Sequence, residues 1–224
     1  MSGVSTFESF SDSTVDPSIR GFLHHPANPN GDGLVLTHGA GANCRSSLLI
    51  AIAEGFANAG FTVLRCDLPF RQLRPFGPPH PGQNARDQEG LKRAVEALRK
   101  KVSGKVFLGG HSYGGRQATM LCANEPEVAD GLLLLSYPLH PPRKPEQLRT
   151  QHFPKLKTKS LFIHGTRDPL GLIGEMEDAL KLIPGEKLLV PMEGAGHDLG
   201  FQGKKQSPPL ALEVSQKFHA FFEV

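Results

Sequence analysis

The sequence predicts an α/β fold built on a doubly wound, mostly parallel β-sheet. Short apolar segments alternate with segments of helical period, and proline and glycine cluster between them. Most of the apolar segments are continuous, which is typical of strands that are buried on both faces of a parallel sheet. The length of 224 residues, with 38% hydrophobic and 21% charged residues, fits a single domain, expected to span residues 1–224.

The predicted strands are rich in branched and apolar side chains. The candidates for the parallel sheet are Gly33–His38, Thr62–Leu68, Lys105–Gly109, Gly131–Ser136, Ser160–His164 and Lys187–Val190. Two earlier segments, Val4–Phe10 and Ile19–Leu23, are expected to pair antiparallel at the edge of the sheet.

Helices are predicted where apolar residues recur at helical spacing between the strands. These positions are Leu49, Ile52 and Phe56, the segment Arg86–Lys101, then Leu172, Met176 and Leu180, and finally a C-terminal helix after Pro208-Pro209. Two segments, Pro69–Gln83 and Pro138–Pro145, hold too much proline for regular structure. In a doubly wound fold, loops at the carboxyl ends of strands line the ligand crevice, and we expect these two to do so.

The pentapeptide Gly110–Gly114, with the sequence GHSYG, is a G-x-S-x-G motif. It follows a predicted strand and precedes a helical segment, which is the strand–turn–helix context of a nucleophile elbow. Such a turn holds the hydroxyl of Ser112 clear of the sheet, at the positive end of a helix. We therefore interpret Ser112 as a candidate nucleophile; the alternative is a tight glycine turn with a solvated serine.

A serine nucleophile needs a base, and the base needs an acid that orients it. In this type of fold the chain order is serine, then Asp or Glu, then histidine. Asp168 and His197 have this order, and each lies in a loop after a predicted strand. Asp198 and Glu193 are alternative acids, but they lie on the histidine's own loop, which makes them less suitable than Asp168.

Two backbone N–H groups are expected to form an oxyanion hole. One is the amide of Tyr113, the residue after the nucleophile. The second is assigned to Ala40, with Gly41 as the alternative, in the small and glycine-rich loop after the first parallel strand. His38, in the same loop, is interpreted as a structural residue that bonds the loop backbone.

Taken together, these motifs resemble the α/β-hydrolase superfamily, and finer features resemble its dienelactone-hydrolase-like branch. The sequence is most similar to the α/β-hydrolase-like family of the testis-expressed protein and the non-specific-lethal complex subunit three. The segments that carry this resemblance are His38–Gly41 (HGAG), Arg71–Pro81, Gly110–Arg116 (G-x-S-x-G-x-R) and Tyr137–Pro142 (YPLHPP). One departure is that dienelactone hydrolases proper use a cysteine nucleophile, whereas this chain has Ser112.

The short interval between Ser136 and Ser160 predicts an α/β-hydrolase fold without a lid domain and with an open cleft. The loops near the site are basic, which favours an anionic ester; the alternative is an ordinary solvated basic face. The candidate substrate-binding residues are Gly41, Arg71, Arg74 and Tyr137. Arg116, one turn into the elbow helix, is expected to brace loops by hydrogen bonds.

The predicted function is hydrolysis of a small ester or thioester through Ser112, Asp168 and His197 by way of an acyl-enzyme. The alternative is a catalytically silent binding or scaffold protein on the same fold. The sequence shows no phosphate-binding or dinucleotide-binding motif, no metal-ligand spacing and no nucleic-acid module, so we expect no cofactor, metal or nucleic acid. A net charge of +3, three cysteines and the lack of an apolar leader or membrane-length run predict a cytoplasmic protein without membrane attachment.

Overall fold

The computed structural model describes residues 5–80, 82–201 and 210–224. An eight-stranded sheet forms its centre, with the strand order β1-β2-β4-β3-β5-β6-β7-β8. The strands are β1 (Thr6–Asp12), β2 (Ile19–His25), β3 (Gly33–Thr37), β4 (Thr62–Cys66), β5 (Val106–His111), β6 (Leu132–Leu135), β7 (Ser160–Gly165) and β8 (Lys187–Met192). β2 is antiparallel to both of its neighbours, and the six strands from β4 to β8 are parallel. The predicted fold class and the edge hairpin are therefore confirmed for the described residues.

Six helices cover the two faces of the sheet. They are α1 (Ser47–Asn58), α2 (Pro69–Leu73), α3 (Asn84–Arg99), α4 (Tyr113–Asn124), α5 (Ile173–Leu180) and α6 (Leu210–Phe222), all within the ranges that the structure describes. α1 and α6 bury their apolar residues against one face, where Phe56, Phe107 and Phe218 form edge-to-face contacts. α3, α4 and α5 cover the other face. This two-sided burial is why the parallel strands lack an alternating pattern.

The register of the parallel strands aligns their carboxyl ends. Thr37 on β3 pairs with Gly110 on β5, and Gly165 on β7 pairs with Met192 on β8. The loops that follow these strands therefore meet at one edge of the sheet, where ligands bind in doubly wound folds.

The segment Pro69–Gln83 corrects one prediction, because its first five residues form α2 instead of irregular loop. Pro69 occupies the first helical turn, where its missing N–H costs nothing. The buried carboxylate of Asp87 accepts the N–H of Phe70 at 3.0 Å, which satisfies a donor that the helix itself leaves unpaired. The second predicted loop, residues 138–145, contains no helix or strand.

Smaller differences concern the ends of elements. Leu172 precedes α5 instead of lying in it, and its side chain is exposed. Val4, Pro81 and Pro208-Pro209, which entered the predictions above, lie outside the described residues.

The interval from Ser136 to Lys159, all of it described, contains one 3₁₀ turn (Phe153–Lys155) and no inserted domain, as the prediction of a lidless fold required. No helix in the described ranges has the length and apolar character needed to cross a membrane.

Candidate active site

Ser112 lies in the sharp turn between β5 and α4. Its φ of 52° and ψ of −117° are a strained combination for a residue with a side chain. Glycines make the turn possible: a Cβ on Gly110 would lie 2.5 Å from the nitrogen of Gly115, and one on Gly114 would lie 2.7 Å from the carbonyl oxygen of His38. The strain is therefore held by close backbone packing on both sides of the serine.

His197 joins Ser112 to Asp168 by two short hydrogen bonds. Its Nε2 lies 2.8 Å from the Ser112 Oγ, and its Nδ1 lies 2.7 Å from Oδ2 of Asp168. The carboxylate of Asp168 is fully buried, and its other oxygen accepts the N–H of Leu170 at 2.9 Å. Because Asp168 accepts at Nδ1, the proton of a neutral imidazole resides there, and Nε2 is left to accept the serine proton.

The loops that carry the acid and the histidine pack tightly against each other. A Cβ on Gly165, at the end of β7, would lie 2.4 Å from the carbonyl oxygen of Ala195 and 2.5 Å from that of Gly196. Only glycine permits this approach, which brings the histidine loop over the end of β7. Glu193, an alternative acid in the sequence, instead lies 3.5 Å from the hydroxyl of Thr166.

His111, the second residue of the G-x-S-x-G motif, forms a hydrogen bond with the backbone of the loop that carries His197. Its Nε2 donates to the carbonyl oxygen of His197 at 2.8 Å. Burial lowers the pKa of His111 to about 4, so the ring is neutral at physiological pH. No role for His111 was predicted from the sequence, although it lies within the G-x-S-x-G motif.

The glycine-rich loop after β3 lies against the nucleophile. A Cβ on Gly39 would lie 3.3 Å from the Cβ of Ser112, so the next residue, Ala40, lies beside the serine. The amide groups of Ala40 and Tyr113 have no hydrogen-bond acceptor among the residues that the structure describes. Both are thus available to a ligand at this edge of the sheet, and the same holds for Gly41, whose Cα faces open space.

Two buried side chains fix the orientation of this loop's peptides. The Nδ1 of His38 donates to the carbonyl of Gly39 at 2.8 Å, and its Nε2 accepts the N–H of Leu68 at 3.1 Å. In a trans peptide, holding the carbonyl of Gly39 also sets the direction of the Ala40 N–H. The structural role predicted for His38 agrees with these bonds, and burial lowers its pKa, which keeps the ring neutral.

The guanidinium of Arg71 fastens the next peptides of the loop. It donates to the carbonyl oxygens of Ala40 at 2.6 Å and Ala42 at 2.8 Å, and to those of Arg74 and Gly77 at 3.1 and 2.9 Å. Four of its five N–H groups are thereby used. The side chain is buried and bonded to backbone, so it offers few free donors to a substrate, and the predicted substrate contact stays a prediction.

Tyr137, a second predicted substrate-binding residue, lies in the protein interior. Its ring is 1% exposed, packs against Phe153 and Phe162, and donates its hydroxyl proton to the carbonyl of Arg149 at 2.7 Å. This tyrosine belongs to the core and does not line the cleft. Arg74 is half-buried beside the site, with Nη1 2.6 Å from Nε2 of His80, and its role in binding stays a prediction together with that of Gly41.

The side chain of Tyr113 points away from the substrate edge, into a polar cluster under α2. Its hydroxyl donates to Oδ2 of Asp87 at 2.7 Å and contacts Oδ1 of Asn84 at 3.2 Å. Burial raises the pKa of Asp87, and burial together with Asp87 raises the pKa of Tyr113. Since Asp87 also accepts the N–H of Phe70, it links the elbow residue to the helix that carries Arg71. No local signal in the sequence marked Asp87.

A cleft of ≈ 580 Å³ opens beside His197. Proline and leucine side chains supply much of its wall; the lining residues are His140, Pro142, Arg143, Pro145, Pro169, Leu170, Leu172, Glu175 and His197. The loop 138–145 therefore borders a cleft, as predicted. Cys44 is buried, and burial raises the pKa of its thiol to about 12, which agrees with its interpretation as an unreactive residue.

The fold and the site geometry define this protein as an α/β hydrolase. A family model described as an alpha/beta hydrolase domain matches residues 31–218, and the chain belongs to this family.

Solved structures share the fold over nearly the whole chain. A dienelactone hydrolase from Anabaena variabilis is 24% identical, with a TM-score of 0.75 over 99% of this chain and 98% of its own. Est1E from Butyrivibrio proteoclasticus is 14% identical, with a TM-score of 0.70 over 97% and 99% of the two chains. XC6422 from Xanthomonas campestris, described as an a/b serine hydrolase without lid, is 14% identical, with a TM-score of 0.61 over 98% and 94%.

Proposed function

We propose that this chain is a serine hydrolase that cleaves a small carboxylic ester or thioester through an acyl-enzyme. The observation that carries the proposal is the hydrogen-bonded series from Ser112 through His197 to Asp168, with distances of 2.8 and 2.7 Å. Catalysis by a nucleophile, a base and an orienting acid requires hydrogen bonds between successive members, and both distances in this series lie within hydrogen-bonding range.

In the proposed reaction, the Oγ of Ser112 attacks the carbonyl carbon while its proton passes to Nε2 of His197. Asp168 holds the Nδ1 proton and stabilises the imidazolium that forms. His197 then gives the proton to the leaving alcohol or thiol as the tetrahedral intermediate collapses to the acyl-enzyme. A water molecule then attacks the acyl carbonyl while its proton passes to Nε2 of His197. His197 returns this proton to the Oγ of Ser112 as the carboxylic acid is released.

The amides of Ala40 and Tyr113 are proposed to stabilise the oxyanion in both halves of the reaction. Donors contribute most when they are fixed in advance, because they then need no reorganisation as charge develops. The bonds from His38 and Arg71 to the loop carbonyls, and the bond from Tyr113 to Asp87, support such fixing. Arg71 is thus proposed as a positioning residue, in place of the substrate contact expected from the sequence.

The proposed substrate is small, with an apolar part that fits the cleft beside His197. The names of two structural neighbours, a dienelactone hydrolase and the esterase-like Est1E, agree with ester chemistry. The sequence resemblance to the family of the testis-expressed protein stays a proposal, as do the single domain over residues 1–224 and a cytoplasmic location.

Labelling with a fluorophosphonate probe tests the proposed nucleophile. We expect covalent modification at Ser112, located by mass spectrometry, and turnover of a short-chain p-nitrophenyl ester. Ser112→Ala removes both, and His197→Ala removes the labelling because the hydroxyl loses its base. A wild-type protein that is folded but unlabelled at every pH between about 6 and 9 supports the catalytically silent alternative instead.

A further inference from the structure

Two pockets meet along the loop 138–145. His140 and Pro142 line the cleft beside His197, whereas Pro141, between them in sequence, lines a second pocket of ≈ 570 Å³. We call the second one the arginine pocket; its wall consists of Arg116, Pro141, Glu146, Gln147, Leu148, Arg149 and Gln151.

Ser112 contacts the wall of the first cleft and precedes a residue of the arginine pocket by about one helical turn. Its Oγ contacts His197 of the first cleft, and Arg116 of the arginine pocket follows it by four residues on α4. Four residues of helix span about 6 Å, and side chains on a helix lean toward its N-terminus. The side chain of Arg116 thus leans back toward the end of α4 that carries the nucleophile.

The two guanidinium groups of the arginine pocket lack a counter-charge. Neither Arg116 nor Arg149 forms an ion pair with any residue in the described ranges, although Glu146 lines the same pocket. The Nε of Arg116 is buried without a hydrogen-bond partner, and the side chain of Arg149 has one long contact, 3.5 Å, to the carbonyl of Pro138. Among the described residues no loop carbonyl accepts a hydrogen bond from Arg116, so the bracing role expected of this side chain has no support.

The pKa values of neighbouring groups reflect this excess of positive charge. Burial and the charge of Arg116 lower the pKa of Arg149, and the same two causes lower the pKa of His152 to about 4, so that this ring is neutral. Partly buried cations without a partner are costly, whereas a planar guanidinium pair suits a carboxylate or phosphate.

We propose that the arginine pocket binds a compact anionic group, a carboxylate or a phosphate, at the far end of the substrate's acyl chain. This inference rests on the proposed function, because it places the scissile carbonyl at Ser112 and the apolar leaving group in the cleft beside His197. The substrate is then a half-ester of a short dibasic acid. Arg116 and Arg149 select it over an uncharged ester of equal length.

The test compares esters with one leaving group and one chain length. They are p-nitrophenyl pentanoate, mono-p-nitrophenyl glutarate, in which a carboxylate replaces the terminal methyl group, and the p-nitrophenyl ester of γ-phosphonobutyrate. We expect the wild-type kcat/KM for one or both anionic esters to exceed that for pentanoate by roughly tenfold or more, the size of a charged hydrogen bond. The ratio between the two anionic esters identifies carboxylate or phosphate as the preferred group. Added salt reduces the preference.

Arg116→Gln is the informative variant, since it removes the charge without breaking any side-chain hydrogen bond to a described residue. We expect it to lose the preference for the anionic esters and to keep the activity on pentanoate. Arg116→Lys retains the charge but not the planar fork, and recovers part of the preference. The matched control is Arg93→Gln on α3, where the arginine pairs with Glu89 and Glu96 on the helix surface. Unfolding temperatures of all variants exclude loss of fold as the cause.

The outcomes separate this inference from the proposed function. Equal wild-type activity on charged and uncharged esters, or an equal loss on both in Arg116→Gln, overturns the proposed anion-binding role of the arginine pocket. The proposed hydrolase function is unaffected by either result. If no ester is cleaved and Ser112 is unlabelled, the hydrolase fails. Calorimetric titration of Ser112→Ala with glutarate then still tests whether the arginine pocket binds an anion. Binding that is lost in the double variant Ser112→Ala/Arg116→Gln supports the proposed anion site. No binding to Ser112→Ala overturns the proposed anion site.

Discussion

The two halves of the site are built in different ways. On one side, Ser112, His197 and Asp168 bond directly to one another through their side chains. On the other side, the amides of Ala40 and Tyr113 are backbone groups, and their positions depend on buried side chains that bond to carbonyls and helix ends. The first half is a short series of contacts between functional groups, whereas the second is a support structure. A substitution in the first half should therefore stop the proposed chemistry, and one in the second should weaken it in proportion to how far an amide moves.

The largest loss of activity is expected for a substitution that disrupts the hydrogen-bonded series of the first half without changing the volume of the side chain. Asp168→Asn keeps the volume but replaces an acceptor by an amide that favours the wrong imidazole tautomer. We expect kcat on p-nitrophenyl pentanoate to fall about 10⁴-fold, the loss known for this change in a Ser-His-Asp triad. Steady-state kinetics on enzyme with an unchanged circular dichroism spectrum measure this.

Asp198→Asn is the matched control, because Asp198 lies next to His197 and was the alternative acid in the sequence. We expect a far smaller loss for this variant. A greater loss for Asp198→Asn than for Asp168→Asn would exchange their assignments.

Arg71→Gln tests the second half of the site. Removing the guanidinium frees the carbonyls of Ala40 and Ala42 and lets the peptides of the loop rotate. Loss of an oxyanion donor costs about 10²–10³-fold in kcat, and since the donor is displaced instead of deleted, we expect roughly a tenfold to hundredfold fall with little change in KM. Arg86→Gln is the control, because this exposed arginine pairs with Asp16 at the surface. A rise in KM at constant kcat would instead restore Arg71 as a substrate contact.

The same contrast explains how far the sequence could be interpreted. The order of Ser112, Asp168 and His197, each after a buried strand, is a local signal, and the structure brings the three side chains together as that order predicted. The parallel sheet was equally visible, because burial on both faces leaves continuous apolar strands. Long side chains gave no such signal: Arg71 reaches a carbonyl 31 residues away, and Arg116 reaches none within the described part of the chain. Where such a side chain ends depends on which distant backbone groups are left unpaired, and this is known only when the fold is known.

Tyr113→Phe measures how much the hydrogen bond from Tyr113 to Asp87 contributes to stability and to activity. The substitution leaves Oδ2 of the buried Asp87 without its shortest donor, so we expect a loss of about 1–3 kcal/mol in the free energy of unfolding. The backbone amide of residue 113 remains, and kcat on p-nitrophenyl pentanoate should fall less than in Arg71→Gln. Urea unfolding and steady-state kinetics give the two quantities.

Tyr137→Phe is the matched control for this variant. It also removes a buried tyrosine hydroxyl, from a bond to the carbonyl of Arg149, but lies in the core. We expect a comparable loss of stability with unchanged kcat on the uncharged ester. Equal losses of kcat in both variants would show that the Tyr113–Asp87 bond has no special effect on the elbow.

The smallest effect concerns three buried histidines that are neutral in the folded protein. Burial lowers the pKa of His24, His111 and His152 to about 4, below the value of about 6.5 in an unfolded chain. Between these two values the unfolded chain binds protons that the native protein does not, so stability falls as the pH drops from about 6.5 toward 4. We expect the unfolding temperature to decrease by several degrees between pH 7 and pH 5, and His111→Gln to make this decrease smaller. The same pH slope in the variant and the wild type would mean that His111 takes up its proton over the same pH range in the native and the unfolded protein, and burial would then not lower its pKa.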